Sequence, residues 1–423
     1  MKGIIYILLL VMSVSFWSCE TTNSTNTNFV NLYSRVGEVF NPKYMVYHPS
    51  IDSTYLHFKL TSSEMLYARK DKTQPYNASA TIHYKIYDVL DRKILLDSAT
   101  VMVKDESVTK ESRFIFGNIG MKLPYGKNYN LYITATDINR NAVSEYLISV
   151  NKTSLSNPQF FKLIEQKSKL PKFQNFSLGA EECLLLSEAN ADKPIYVNYY
   201  NRNFPIAAPP FSMTNSKTFN YRPDSAIGNR LDDKGYFKLN TLDSGFVHVM
   251  LDSSQRTGYS HYTYNQNYPT IYDAEGMIEP MKYISSKAEY LKMMESEDPR
   301  KEMESFWLSK CGSKERAREI IKKYYNRVEN ANASFTSYIA GWQTDRGMVS
   351  LIFGFPKTIR KTNDQEVWVY GEESNIMALQ FTFDQVDNPF SDNDFKLQRS
   401  PGYKSNWYRA VDAWRSGRVY WAQ

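Results

Sequence analysis

Between Tyr44 and Val150 apolar residues recur at every second position, and this period restricts what the stretch can become. Leu56, Phe58 and Leu60 alternate with His57 and Lys59. Ile82, Tyr84 and Ile86 alternate with His83 and Lys85, and Leu131, Ile133 and Ala135 alternate with Tyr132 and Thr134. Successive side chains of a strand point to opposite faces, so each run can bury one face and leave the other wet. Turn-forming strings separate the runs: Lys70-Asp71-Lys72, Leu123-Pro124-Tyr125-Gly126 and Asn139-Arg140-Asn141. Several short strands punctuated in this way predict an immunoglobulin-like β-sandwich over residues 43–152.

The chain has 423 residues, too many for one ordinary core. Asn151 to Pro171 is polar and reads as a connector. A second β-rich domain is expected over 153–276, with strands at Ile195–Tyr199, Phe237–Leu239, Phe246–Leu251 and Ser260–Tyr264. Beyond Glu279-Pro280 the pattern changes, and 277–423 reads as an α+β domain. Met281 to Ser296 looks helical. Ala317, Ile320, Ile321, Tyr324, Tyr325, Val328 and Ala331 recur at three- and four-residue steps, which predicts an amphipathic helix with Ser313 as its N-cap. Strands are expected at Val349–Phe353, Val367–Tyr370 and Leu379–Phe383. The expected fold class is therefore mainly β with a C-terminal α+β domain.

Near the start, Lys2 precedes an apolar run from Ile4 to Trp17, followed by Ser18 and Cys19. This reads as a lipoprotein export signal over residues 1–18, with lipid attached to Cys19. The run is shorter than the ~20 apolar residues of a spanning helix. Residues 19–42 read as a polar tether, because Glu20 to Asn28 is nearly all Thr, Asn and Ser. The implied location is the outer membrane, held by lipid, in either leaflet. Net charge is +6 without a basic block, so nucleic acid is not an expected partner. Cys183 and Cys311 either pair, as an oxidising envelope would permit, or stay as two separate buried thiols; spacing does not choose between them.

Beyond Trp17 every tryptophan falls in the last third: Trp307, Trp342, Trp368, Trp407, Trp414 and Trp421. They form either a tight aromatic core or a docking surface. Among them lies Gly341-Trp342-Gln343-Thr344-Asp345-Arg346-Gly347. Gly341 and Gly347 permit backbone paths closed to other residues, Thr344 and Asp345 can bond nearby N–H groups, Arg346 can pair with a carboxylate, and Trp342 can anchor the turn. These residue types predict a structural turn feeding the strand that follows.

The string resembles the signature of the GWxTD domain. The resemblance extends to Asp298-Pro299, Phe306-Trp307, Arg327-Val328, Ala331-Asn332, Phe335, Gly354-Phe355-Pro356, Trp368 and Tyr370, and covers residues 277–423. It implies a lipoprotein of Bacteroidota with β domains ahead of the motif domain, and it implies location and architecture more than chemistry. Asp97-Ser98-Ala99 and Asp224-Ser225-Ala226 resemble the O-glycosylation triplet of the same bacteria.

None of the histidines, His48, His57, His83, His248 and His261, lies in the last third, so a Ser–His or Cys–His nucleophile system is not expected within that domain. His57 and His83 fall on faces read as solvent-facing. No metal-ligand spacing or phosphate-binding glycine loop occurs, so neither a metal nor a cofactor is expected. Asp345, Glu366, Glu372, Glu373, Asp384 and Asp387 are the remaining acid–base candidates. The expected function is a non-catalytic scaffold or interaction subunit of a larger envelope complex, for barrel or lipoprotein assembly or for protein secretion, with outer-membrane protein partners. The alternatives are a glycan-binding surface lipoprotein and a carboxylate-dependent hydrolase.

Overall fold

Seven antiparallel strands build the first module of the computed structural model, which describes residues 28–420 apart from 34–38, 70, 72, 90–93, 108–110, 167, 214–218, 363, 373–374 and 376–377. The predicted leader 1–18, Cys19, Glu373 and Trp421 lie outside the described residues. The strands are β1 (Lys43–Tyr47), β2 (Thr54–Thr61), β3 (Tyr76–Asp88), β4 (Leu95–Ser107), β5 (Phe114–Met121), β6 (Asn128–Asp137) and β7 (Ala142–Asn151). They form two sheets, ordered β1-β2-β5 and β4-β3-β6-β7. The alternation does what it predicts: Leu56, Phe58, Ile82, Tyr84, Leu131 and Ile133 all enter one core. Tyr129, near the start of β6, donates to Pro124 O at 2.7 Å, a tie that holds the preceding loop to the sheet. His57 departs from expectation. It sits half-buried in a groove against the second module with Nε2 buried and unpartnered, and burial pushes its ring down to about 4.

The expected connector is largely structured. Phe160, Phe161 and Leu163 are buried in the second core, and Lys162–Ile164 forms β8. The polar residues between them mask a short strand whose apolar side chains have a core to enter. The rest of this module comprises β9 (Phe176–Leu178), β10 (Glu182–Leu186), β11 (Pro194–Tyr200), β12 (Ser225–Arg230), β13 (Tyr236–Asn240), β14 (Gly245–Met250) and β15 (Tyr259–Tyr264). One sheet runs β13-β10-β8 and the other β12-β11-β14-β15-β9, with β9 parallel to β15. Cys183 belongs to this core and Cys311 to another; both are free, so the disulfide reading gives way to two buried thiols. Tyr47 donates to Glu188 at 2.9 Å and carries the Lys162 ammonium 3.9 Å above its ring, which fastens the first two modules together.

The last region is α+β. Its helices are α1 (Ala274–Ile278), α2 (Lys287–Met294), α3 (Pro299–Cys311), α4 (Lys314–Phe335), α5 (Asp345–Phe353) and α6 (Lys404–Arg415). One antiparallel sheet joins β16 (Thr358–Lys361), β17 (Gln365–Tyr370), β18 (Leu379–Gln385) and β19 (Phe395–Leu397). Ser313 caps α4 through Arg316 N, as its position predicts. The helix expected over Met281–Ser296 is shorter, because Ser286 and Glu289 form a capping box that starts α2 at Lys287.

Two further expectations are corrected. Val349–Phe353 is not a strand but the end of α5, whose nine residues are all buried. A short apolar run enclosed on every side has no periodicity to separate strand from helix. The segment 19–42 is not a free tether throughout. Phe29 N donates to Ile359 O at 3.0 Å, and Phe29 and Tyr33 are buried in the C-terminal core. Val30 and Leu32 pack against the same core, so an apolar cluster that follows the polar Glu20–Asn28 docks this segment.

Candidate functional site

The motif is the mount of α5. A helix leaves its first N–H groups and last C=O groups without internal partners, and α5 lies where water does not reach. Thr344 is its N-cap: Oγ1 donates to Gly341 O at 2.7 Å and accepts from Gly347 N at 3.0 Å. The turn before it is tight. A Cβ on Gly347 would lie 1.8 Å from Gly341 O, and one on Gly341 would lie 2.0 Å from Ala331 O. Trp342 is buried, and its backbone N–H donates to Asn332 Oδ1 at 3.2 Å, while Asn332 Nδ2 donates to Pro269 O at 3.1 Å.

The two charged residues of the motif are each matched. Asp345 accepts from both Arg399 Nη atoms, at 3.0 and 2.5 Å, and from Leu397 N at 2.8 Å. Arg346 is 1% exposed and donates to Glu366 Oε1 at 3.1 Å and to Asn393, with its guanidinium 4.0 Å from the Phe395 ring centroid. Glu366 also accepts from Tyr33, Lys361 and Trp368 Nε1. Burial alone would raise the Glu366 carboxyl, yet Arg346 and Lys361 with the Tyr33 hydroxyl hold it down at about 2. Paired and hydrogen-bonded in this way, the buried charges are compensated.

At the other end, the last carbonyls of α5 also find side-chain donors. Arg327 Nη1 donates to Leu351 O and Ile352 O at 3.2 and 3.0 Å, Trp414 Nε1 to Ile352 O at 3.0 Å, and Tyr370 OH to Gly354 O at 2.6 Å. Residues scattered from 327 to 414 therefore serve one helix. Asp345 at its first turn also suits the positive end of the helix dipole.

The sequence singled out Gly341, Trp342, Thr344, Asp345, Arg346 and Gly347, and the structure brings all six to this mount. It feeds a buried helix instead of the expected strand. Tyr33, Lys361, Asn393 and Arg399 complete the mount but carry no local signal, because their partners are distant in sequence. The tryptophans described here, Trp307, Trp342, Trp368, Trp407 and Trp414, are all buried, which favours the aromatic-core reading over a row of exposed rings.

Each described carboxylate candidate but one has other partners. Asp345 and Glu366 are engaged as above, Glu372 pairs with Lys357 at the surface, Asp384 accepts from Gln365 and Gln398, and Asp387 is exposed. Ser98 and Ser225, in the two resembling triplets, are exposed on β4 and β12, while Asp97 accepts from Tyr84 and Asp224 from Asn201 N. His83 shares a hydrogen bond with Thr100 at 2.8 Å. Beside the motif lies a cleft of about 400 Å³, lined by rings of Phe204, Tyr268, Tyr290 and Trp342 and by the amides of Asn265 and Gln343. Among the described residues one mixed group could hold a metal ion: Glu181, Cys183 and His261.

Residues 245–416 match the family model of the GWxTD domain, so the chain carries that domain. The match begins in β14 and not at 277. Phe246 and Tyr262, on β14 and β15, pack around Phe390 of the C-terminal region, while Val247, Val249 and Tyr259 on the same strands enter the second core, so the match takes in strands that join the two regions. No curated protein matches the chain. Among solved structures, the chain aligns with Bacteroides uniformis β-glucuronidase at 10% identity and a TM-score of 0.18, covering 26% of this chain and 13% of that one. It aligns with red sea bream transglutaminase at 7% identity and a TM-score of 0.18, covering 53% of this chain and 31% of the other. The chain thus spans well under half of either structure. No helix among the described residues is long and apolar enough to cross a membrane.

Proposed function

We propose that this protein is a lipid-anchored, non-catalytic subunit that spaces and presents surfaces within a larger outer-membrane assembly. One observation carries the reading: the charged and hydroxyl groups of the motif are used to mount a buried helix, so this motif builds a rigid domain. Cross-module bonds extend that rigidity. Tyr264 OH donates to Ser337 O at 2.8 Å, Arg399 Nη2 to Ala208 O at 3.1 Å and Ala207 N to Gln343 O at 2.8 Å. The docked residues 28–33 would then bring the anchor against the GWxTD domain. Cys19 supplies the lipid, and the leader and tether fit a protein of the Bacteroidota envelope. We also read the first sandwich as immunoglobulin-like, from its strand order and the Tyr129–Pro124 tie.

The test is affinity purification of the tagged protein from gently solubilised outer membranes, with partners identified by mass spectrometry. A stoichiometric barrel protein or further lipoproteins would support the reading, and a protein that always emerges alone would sink it. The cleft beside Trp342 favours one second reading, a glycan site, because rings and amides together suit sugar faces and hydroxyls. Absence of binding across a polysaccharide panel would remove it.

A further inference from the structure

The second module holds a set of side chains that neither the motif nor its packing explains. Glu181 leads into β10, Cys183 lies on β10, and His261 lies on β15. Strands β10 and β15 belong to opposite sheets. One donor atom from each of the three residues lies within 4.8 Å of the others. Ser177, on β9, hydrogen-bonds the Glu181 carboxylate and shares a 2.6 Å bond with His261 Nε2. The Lys172 ammonium contacts Glu181 and lies 3.6 Å from Cys183 Sγ. Cys183 and His261 are 1% and 0% exposed, and His261 Nδ1 is buried without a hydrogen-bond partner. The link between His261 and Glu181 runs through Nε2 and the Ser177 hydroxyl, so three potential ligand atoms from two sheets converge on one buried point.

We propose that Glu181, Cys183 and His261 form a structural site for a divalent cation of the zinc type, which fastens the two sheets of the second module. One thiolate, one imidazole and one carboxylate suit zinc; calcium and magnesium take oxygen donors. Zinc bonds of roughly 2.0–2.3 Å place tetrahedral donors about 3.3–3.8 Å apart, so the group closes by about 1.5 Å or less. Ser177 Oγ or one water takes the fourth position. Two of the three ligands are buried, and Glu181 closes the group from the half-buried side.

A thiolate and a neutral imidazole are the forms that ligate, so metal binding releases the Cys183 proton and uptake rises with pH. Lys172 supplies the positive charge when no metal is bound. A dication competes with that ammonium for Glu181, and the Lys172 side chain, 23% exposed, can turn to solvent.

The experiment uses the full chain without a polyhistidine tag, washed with chelator and titrated with cobalt(II) and then zinc. The expected result is one cobalt per chain, a thiolate-to-cobalt charge-transfer band that zinc abolishes, and a higher thermal midpoint with zinc. Cys183→Ser should remove the band, and Cys311→Ser should leave it. Glu181→Gln, at a half-buried position, should weaken uptake about tenfold or more, while Lys172→Gln should strengthen it. Circular dichroism verifies that each variant is folded. A wild-type chain with neither band nor thermal shift would overturn the site, as would a band that survives Cys183→Ser or depends on Cys311.

Discussion

The first sandwich and the GWxTD domain satisfy their buried polar groups by different means. In the sandwich the ladders pair the backbone, so inward residues such as Leu56, Ile82 and Leu131 need only be apolar and of suitable size. In the GWxTD domain a whole helix is enclosed, and its ends must be closed by side chains. Thr344 closes one end, Arg327, Trp414 and Tyr370 close the other, and Asp345 and Arg346 carry matched charges beside the first. A buried helix therefore fixes residue identity at distant positions, whereas a buried sheet fixes mainly a pattern.

Comparing the two glycines that face each core gives the largest expected contrast. Gly347→Ala places a Cβ against backbone that cannot yield and should prevent the GWxTD domain from folding. Gly117→Ala meets the Phe58 ring first, a side chain in place of backbone, and overpacking there should cost about 1–3 kcal/mol. Tryptophan fluorescence and urea melts of both variants check this. Equal losses would remove the distinction.

Glu366→Gln comes next. It leaves Arg346 and Lys361 without their carboxylate and should cost about 3–5 kcal/mol in urea unfolding. The same group gives an acid signature. Its carboxyl is depressed from 4.5 to about 2 in the folded state, so its contribution is complete above pH 4.5 and disappears as pH falls through 2. The Gln variant should lose that part of the pH slope, and an unchanged slope would show that the ion pair contributes nothing.

Tyr33→Phe removes one hydroxyl donor to a charged acceptor and should cost about 1.5–3 kcal/mol. It also asks whether the docked segment stabilises the domain. Limited proteolysis near residue 33 should quicken in the variant. At the small end, His83→Ala on the sandwich surface should change stability by about 0.5 kcal/mol or less in a thermal melt.

Legibility followed the same division. The strands around Leu56–Leu60, Ile82–Ile86 and Leu131–Ala135 and the helix after Ser313 could be read, because one face of each meets water and leaves a period. The run Val349–Phe353 could not, because an enclosed element has no wet face. His57 was misplaced for a related reason: its outward face meets a second module where solvent was expected.

The sequence by itself determined the mainly β class with a C-terminal α+β region, the periodicity of the half-wet strands and helix, and the string that marks the GWxTD domain. It also held the identity of Gly347 and Thr344, since a tight turn and a cap are local requirements. Tertiary structure decided which charges meet. Arg346 finds Glu366 20 residues away, Asp345 finds Arg399 54 away, and Ser177 finds His261 84 away. Such pairs are set by how strands and helices stack, because electrostatic and hydrogen-bonding partners are chosen by distance in space, which sequence spacing does not encode.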